Sequence, residues 1–123
     1  MASISDYVLD AALAKFDTEA NRIDITSQEA TTYAAATSTY TLGNKTSISI
    51  GAPADRSGGG REVTVSAITD GTVSGTGTAT HYAIVDSGNS RLLGTGSLSS
   101  SQAVTSGNTF SLASFKIGIP DPA

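Results

Sequence analysis

The chain has 123 residues, no cysteine, and a formal net charge of −4 from 11 acidic and 7 basic residues. This length predicts one domain with a modest hydrophobic core. The absence of cysteine excludes disulfides, thiolate zinc sites and thiol nucleophiles. Because nucleic-acid binding requires clustered Lys and Arg, the small basic content predicts no nucleic-acid partner.

The net charge is concentrated near the N-terminus, where residues 1–29 carry six acidic and two basic side chains. The remainder is charge-balanced and rich in Ser, Thr, Gly and Ala, a composition that favours exposure outside a cell or on a virion. No apolar run approaches the 18 or so residues that span a bilayer, and the first residues lack the pattern of a signal peptide. The sequence therefore predicts no membrane partner, with synthesis in the host cytoplasm and release on a larger particle.

Residues 4–16 have the periodicity of an amphipathic helix. Ser3 or Ser5 can cap its start, and Asp6 and Asp10 lie near the positive end of the helix dipole. Its predicted apolar face consists of Ile4, Val8, Leu9, Ala12, Leu13 and Phe16. Two interpretations are open: the helix caps its own β-domain, or it docks on a neighbouring subunit.

The segment after the helix predicts a short strand at Arg22–Thr26, with Ile23 and Ile25 on one face. Residues 27–39 are rich in Ser, Thr and Ala and allow one helical turn. This region predicts only a small amount of regular structure.

Residues 40–42 and 47–50 predict two strand pieces around a break at Gly43-Asn44. The glycine-rich stretch that follows, residues 51–60, predicts an exposed and mobile loop. Beyond it, residues 61–68 alternate cleanly, as expected of a strand that buries one face.

Two turn signals delimit the next predicted strands. Asp70-Gly71 predicts a tight hairpin turn into Thr72-Val73-Ser74. Near the end of the chain, Pro120 and Pro122 predict that the last strand stops at Ile119.

The most regular stretch runs from Thr78 to Phe115, where apolar residues alternate with small or hydroxylated ones between Gly-, Asn- and Ser-rich turns. This pattern predicts an antiparallel meander whose strands each bury one face. The predicted inward residues are Tyr82, Ile84, Leu92 or Leu93, Leu98, Val104, Phe110, Leu112 and Phe115. The whole chain then predicts a mainly β fold, a small antiparallel β-sandwich of about seven strands with an N-terminal amphipathic helix. We expect a helical segment at 1–20, the β-sandwich domain at 21–119 and an extended tail at 120–123.

No residues form a catalytic or metal-binding pattern. His81, the only histidine, shares a predicted strand face with Ala83 and Val85, away from the carboxylate of Asp86. A catalytic base needs a nucleophile and an orienting carboxylate, so a surface or inter-subunit role is the stronger interpretation. The turn 86–90 offers one carboxylate, which favours turn chemistry over a calcium site. We expect no catalytic, cofactor-binding or metal-binding residues, no cofactor, and no enzymatic activity.

Two further patterns are better explained by structure than by binding. Gly75-Thr-Gly77 and Gly94-Thr-Gly96 lack the third glycine of a dinucleotide loop, and such strand glycines mark bulges or close backbone contacts. Tyr33 and Tyr40 are the aromatic pair that could contact a carbohydrate, and core packing is the better interpretation for both.

Several short motifs follow one another in an order that resembles a known family. They are Ser5-Asp-Tyr-x-Leu-(x)₃-Leu13, Gly60-Arg-Glu-Val-Thr-Val65, Thr80-His-Tyr-Ala-Ile-Val-Asp86, Leu92-Leu-Gly-Thr-Gly-Ser-Leu98 and Val104-Thr-Ser-Gly-Asn-Thr-Phe110. This order is similar to that of small virion proteins of tailed bacteriophages and prophages, which are described as head decoration or tail-fibre proteins. The family's apolar strand after the helix is replaced here by the more polar residues 23–28. The resemblance implies a structural role without catalytic residues.

The composition and the resemblance together predict a capsid decoration (cement) protein on the outer surface of a phage head. Its expected partners are the major capsid protein, or tail proteins, and further copies of itself on the particle. The expected interface residues are Ile4, Tyr7, Val8, Leu9, Asp10, Asp55, Arg56 and Arg61, together with the Pro-rich tail. The alternatives are a tail or tail-fibre component that contacts the host surface, and a non-viral cell-surface binding module.

Overall fold

The protein, seen in a computed structural model that describes residues 4–120, is divided into two compact units. Its elements in chain order are α1 (Asp6–Glu19), β1 (Arg22–Thr26), a π-helical turn (Ala35–Thr39), β2 (Thr41–Thr46), β3 (Ala54–Asp55), β4 (Arg61–Val65), β5 (Ile68–Val73), β6 (Gly77–Asp86), β7 (Arg91–Val104), β8 (Thr109–Leu112) and β9 (Phe115–Ile119). One unit, here the helix unit, contains the described residues 4–19, 49–67 and 113–120. The other, the strand unit, contains residues 20–48 and 68–112.

The helix unit is a three-stranded antiparallel sheet, ordered β3-β4-β9, with α1 in contact with β4. Its buried side chains include Leu9 and Leu13 of the helix and Val63 and Val65 of β4. The helix is displaced along the chain from the predicted 4–16, since it begins at Asp6 and ends at Glu19. The predicted cap Ser3 and the tail beyond Pro120 lie outside the described residues.

The strand unit is a six-stranded antiparallel sheet, ordered β7-β6-β1-β2-β5-β8. The predicted strand at 22–26 is confirmed as β1, and it lies inside the sheet between β6 and β2. The side chain of Gln102 on β7 donates to the carbonyl of Ser111 on β8 at 2.8 Å, so the two edge strands approach each other and the sheet curls.

The predicted class, mainly β and antiparallel with an N-terminal helix, is confirmed. The described residues form nine strands in two sheets instead of about seven strands. One extra strand, β3, lies within the predicted irregular loop 51–60 and pairs with β4. The sequence-based boundaries at 20 and 119 stay a prediction.

The glycine-rich segment forms a hairpin turn between β3 and β4. The amide of Arg56 donates to the carbonyl of Gly60 at 3.1 Å, and the amide of Gly59 donates to the carbonyl of Arg56 at 3.1 Å. The φ angles of Gly58, Gly59 and Gly60 are 90°, 105° and 94°, a region that side chains with a Cβ rarely adopt. The three glycines therefore permit a tight turn.

The predicted turn at Asp70-Gly71 is wrong, because both residues lie within the continuous strand β5. A Cβ on Gly71 would lie 2.3 Å from two ring carbons of Phe110 on the adjacent strand β8. The absence of a Cβ at Gly71 therefore lets the Phe110 ring approach the backbone of β5 closely. Gly71 has this packing role and does not form the predicted turn.

Other strand limits also differ from the prediction. Gly43-Asn44 lies inside β2, and the chain turns instead at Ser47, whose φ angle is 58°. The Ser-rich stretch after Leu98 is part of β7, where residues 98–101 bulge opposite Thr80 of β6. The bulge accommodates the extra residues of β7, so the strand is not interrupted at the Ser-rich stretch.

The alternation predicted for β6 holds for only part of the strand. Ala83 and Val85, expected on the outer face, are fully buried because residues 30–40 cover that face. The covering residues include Ala30, Ala36, Tyr33 and Tyr40, with Leu92 packed beside them. Of the predicted inward residues, Ile84, Val104, Phe110 and Leu112 are buried, whereas Tyr82, Leu92, Leu93, Leu98 and Phe115 are partly buried.

Candidate assembly surface

Arg61 joins three segments of the helix unit. Its Nε and Nη2 donate to the two carboxylate oxygens of Asp10 on α1, at 2.7 Å and 3.2 Å, and its Nη1 donates to Asp55 on β3 at 2.6 Å. The hydrogen bond to Asp10 is the main reason that the pKa of Arg61 lies above its ordinary value. A bidentate Arg–carboxylate pair restrains orientation as well as distance. The helix is therefore held on its own sheet, which supports the capping interpretation of α1.

The structure brings together most of the residues expected at an interface, but several of them bind each other. Asp10, Asp55 and Arg61 form the ion pairs just described, and Leu9 is buried. Arg56 folds back over its own turn, where its Nη1 donates to the carbonyl of Gly59 at 3.0 Å. These five side chains thus have structural contacts within the helix unit.

The other three expected interface residues are exposed. Ile4, Tyr7 and Val8 retain 40%, 85% and 54% of their accessible surface. Among residues 4–120 these are the exposed large hydrophobic residues: Tyr7 and Val8 lie in the first turn of α1, and Ile4 lies two residues before it begins. Exposed apolar residues that cluster in this way make this part of the chain a candidate surface for contact with another protein.

The apolar residues of α1 form two faces, not the one face that was predicted. Leu9 and Leu13 are buried and Phe16 is partly buried, which defines the inner face. The exposed apolar residues of the helix are Tyr7, Val8, Ala11 and Ala12. Together with Ile4, which precedes the helix, we name them the outer helix face. Val8 and Ala12 therefore belong to a different face from Leu9 and Leu13. The sequence alone did not separate them, since both faces are apolar.

The C-terminal strand, β9, belongs to the helix unit, together with α1 and the β3–β4 hairpin. β9 pairs with β4 from Arg61↔Ile119 to Val65↔Phe115. Lys116 on β9 also pairs with Glu62 on β4 at 2.9 Å. The expected interface residues of the helix and of the 51–61 segment thus belong to one unit, which also contains β9 and Pro120; the rest of the predicted Pro-rich tail lies outside the described residues.

The strand unit contains a buried polar cluster around Asp24. Arg22 donates to both oxygens of this fully buried carboxylate, at 2.7 Å and 2.8 Å, and the hydroxyl of Thr41 donates to it at 2.6 Å. The hydrogen bond with Asp24 raises the pKa of Arg22. Three donors satisfy the carboxylate, which explains how a polar strand can lie in the middle of the sheet.

Thr26, two residues further along β1, has a buried hydroxyl for which no hydrogen-bond partner is identified among the described residues. Its cross-strand neighbour on β6 is His81. Among the buried side-chain nitrogen and oxygen atoms of residues 4–120, the Thr26 hydroxyl oxygen is the one without a hydrogen-bond partner.

His81 is oriented by a hydroxyl group. Its Nδ1 lies 2.8 Å from the Oγ1 of Thr80, and that hydroxyl donates its proton to the carbonyl of Ser27 at 3.0 Å. Because the hydroxyl has a single proton, Nδ1 acts as the donor to Oγ1 in this arrangement. The imidazole is thus oriented by a hydroxyl, not by the carboxylate that a catalytic triad uses.

The turn after β6 is built on Asp86. The carboxylate accepts from the amide of Gly88 at 3.1 Å and from the side-chain nitrogen of Asn89 at 2.7 Å. The Asn89 contact is the main reason that the pKa of Asp86 is lowered. The predicted turn chemistry is therefore what the structure shows for these residues.

We expect the stabilising effect of Asp86 to depend on pH. Because its pKa is lower in the folded state than in the unfolded state, the effect is present above the ordinary Asp pKa of about 3.9 and disappears as the pH falls through the folded-state pKa. Chemical unfolding should show Asp86→Asn to be less stable than the wild type at pH 7, and the difference should shrink below about pH 4. Asn89→Ala should reduce the same pH-dependent difference. A constant difference from pH 7 to pH 3 would contradict this explanation.

Two sequence patterns have structural explanations in the strand unit. Tyr33 and Tyr40 pack against the cluster of Ala83 and Val85, so their predicted role in core packing is confirmed. A Cβ on Gly96 would lie 2.6 Å from the hydroxyl oxygen of Tyr82, its cross-strand partner. This glycine marks a close contact, as expected for an isolated strand glycine.

Across residues 4–120, no three His, Asp or Glu side chains lie close enough together to bind a metal ion. In the same range, no helix has the length and apolar character needed to cross a membrane. Comparisons with protein-family models, curated proteins and solved structures found no match to this chain.

Proposed function

We propose that this chain is a structural virion protein of a tailed phage, most specifically a decoration protein that binds the outer surface of the head. The observation that carries the proposal is the outer helix face: uncharged, exposed, and presented by a helix that Arg61 holds in place. A restrained apolar surface loses little conformational entropy on binding, which favours assembly with other proteins. The motif order described above points in the same direction.

The use of the polar side chains also supports a binding role. Asp24 and Asp86 are buried carboxylates, and His81 is a half-buried histidine on β6. Each is occupied by contacts that stabilise the fold: Arg22 and Thr41, the 86–90 turn, and Thr80. Groups committed in this way favour a structural role over chemistry on a substrate.

Decoration proteins act by mass action. A protein that binds the assembled shell but not the free subunits shifts the equilibrium toward the shell. Many copies on one particle then add their small contributions, so each contact can be weak. The helix unit, with the outer helix face, the 51–61 segment and β9, is the part that we assign to this contact.

The direct test is co-sedimentation of the purified chain with phage heads that lack it. We expect wild-type protein to bind and Tyr7→Glu to bind at least about tenfold more weakly, because the change places a charge where an exposed aromatic side chain would be buried. Thr31→Glu, at an exposed position of the strand unit, is the matched control and should bind like the wild type. Circular dichroism of the three proteins should be the same.

Localisation separates the alternatives. Immunogold labelling on the head surface supports the decoration role, whereas labelling confined to the tail or fibre tips supports the tail component that contacts the host. A chain that neither sediments with heads nor labels any part of a virion would overturn the proposal and leave the cell-surface module.

A further inference from the structure

The backbone hydrogen bonds of β4 show which residues of β9 point away from it. The carbonyl of Thr64 on β4 accepts from the amide of Gly51 at 3.0 Å, so the backbone groups of Thr64 point away from β9. Thr64 lies opposite Lys116 in the register, and Glu62 lies opposite Gly118. Backbone direction alternates along a strand, and opposite residues of an antiparallel pair exchange either both hydrogen bonds or neither. Lys116 and Gly118 therefore direct their N–H and C=O groups outward, away from β4.

This outward edge of β9 is exposed. β9 is the last strand in the sheet order β3-β4-β9, and both Lys116 and Gly118 are exposed. Within residues 4–120, no hydrogen bond is found to the outward N–H or C=O group of either residue. Each residue offers one donor and one acceptor, and this repeat at every second residue is the one that a neighbouring strand uses.

The other described sheet edges are protected, whereas the edge of β9 is not. Edge strands are commonly kept short, bulged or covered, which prevents them from pairing with another chain. β3 has only two residues and follows Pro53, and β7 carries a bulge and is linked to β8 through Gln102. β9 has five residues, contains no proline and pairs with β4 without a register shift. Its one charged side chain, Lys116, is held by Glu62 at 2.9 Å.

The side chains of β9 indicate what a neighbouring strand would carry. Ile119 lies opposite Arg61, whose side chain reaches α1, so Ile117 and Ile119 lie on the face that the helix covers. Val63, opposite Ile117, is buried, whereas Ile117 and Ile119 are only half-buried at the edge of the sheet. Apolar residues on an added strand would complete their burial. On the other face, Lys116 favours an acidic or polar residue opposite it.

We propose that a strand of the shell protein pairs with the outward edge of β9 and extends the sheet of the helix unit. The partner segment is extended, alternates apolar with polar residues, and exchanges backbone hydrogen bonds with Lys116 and Gly118. The edge specifies a strand because only an extended chain repeats its donors and acceptors at this spacing. The shell protein as the source of the strand rests on the proposed function. The strand adds a second contact to that of the outer helix face.

Lys116→Pro tests the backbone contact, and Lys116→Ala is its matched control. Proline at 116 removes an outward N–H and places its ring at the edge, while the bonds to β4 from residues 115, 117 and 119 are kept. Alanine removes the ion pair with Glu62 but keeps the N–H. In co-sedimentation with phage heads that lack the protein, we expect Lys116→Pro to bind at least about tenfold more weakly than the wild type. Lys116→Ala should bind within about twofold of the wild type.

Hydrogen exchange of the wild-type chain gives a measurement that needs no variant, and it decides the matter if Lys116→Pro does not fold. We expect the amides of Lys116 and Gly118 to exchange at least about tenfold more slowly in chains bound to heads than in free chains. A fragment that contains Thr31, in the strand unit, should exchange equally in both. Mass spectrometry of peptic fragments measures the exchange.

The outcomes distinguish this proposal from the proposed function. Equal head binding by the wild type and both Lys116 variants, or unchanged exchange at residues 116 and 118, would overturn the added strand. The proposed function would then stand on the loss of binding by Tyr7→Glu. Equal weakening by Lys116→Ala and Lys116→Pro would assign the contact to the side chain and also overturn the added strand. Heads that do not bind the wild type would overturn the proposed function, and with it the shell as the source of the strand.

Discussion

Replacing Asp24 with alanine is expected to lower the free energy of unfolding by about 3 kcal/mol, because it leaves the Arg22 guanidinium and the Thr41 hydroxyl without their acceptor. The carboxylate is fully buried on β1, inside the six-stranded sheet. The Arg22 side chain is 22% exposed, so water can solvate only part of the freed guanidinium. Urea unfolding followed by circular dichroism measures the change.

Asp70→Ala is the matched control for this change. Asp70 forms an ion pair with Lys45 at 3.0 Å, but its side chain is 68% exposed. Water and salt screen such a pair, so its loss should cost about 0–1 kcal/mol. A loss of equal size for Asp24→Ala and Asp70→Ala would show that burial of the Asp24 cluster does not stabilise the sheet as described.

Replacing Gly71 with alanine is expected to destabilise the strand unit by about 2–3 kcal/mol. The added methyl group would lie 2.3 Å from the Phe110 ring, which is itself buried and cannot turn away without moving β8 or losing its packing. The physical cause is overpacking and not backbone strain. Thermal or chemical unfolding of the single variant measures the loss.

Two further variants separate overpacking from other effects of removing a glycine. Gly75→Ala has its nearest contact, with Leu42, at an ordinary distance of 3.6 Å and should change stability little. Phe110→Leu should destabilise the wild type by removing aromatic surface but partly compensate for Gly71→Ala, because the smaller side chain leaves room for the methyl group. Simple additivity of Gly71→Ala and Phe110→Leu would exclude a direct clash as the cause.

The proposed assembly surface could be predicted in part. The sequence predicts it on the N-terminal helix and the segments near it, and Ile4, Tyr7 and Val8 are exposed there. It could not show that Asp10 and Arg61 bind each other, since they are 51 residues apart and are brought together by folding. Nor could it divide the apolar residues of the helix between an inner and an outer face, because helical periodicity reveals an apolar stripe but not its partner.

The sequence by itself determined the class of the fold and the position of several elements. Alternation with a period of two residues, interrupted by turn-forming residues, is a local property and is sufficient to identify strands such as β1 and the end of β9. A helical period identifies α1 for the same reason.

Only the tertiary structure decided which faces are buried and what the glycines do. The second face of β6 is covered by residues 30–40, and the ring of Phe110 lies over Gly71. Both contacts join segments that are far apart in the chain, so no local pattern contains them. Whether a side chain is buried depends on which residues lie next to it in space. For β1, β6 and α1, those neighbours come from distant parts of the sequence and are brought together only when the chain folds.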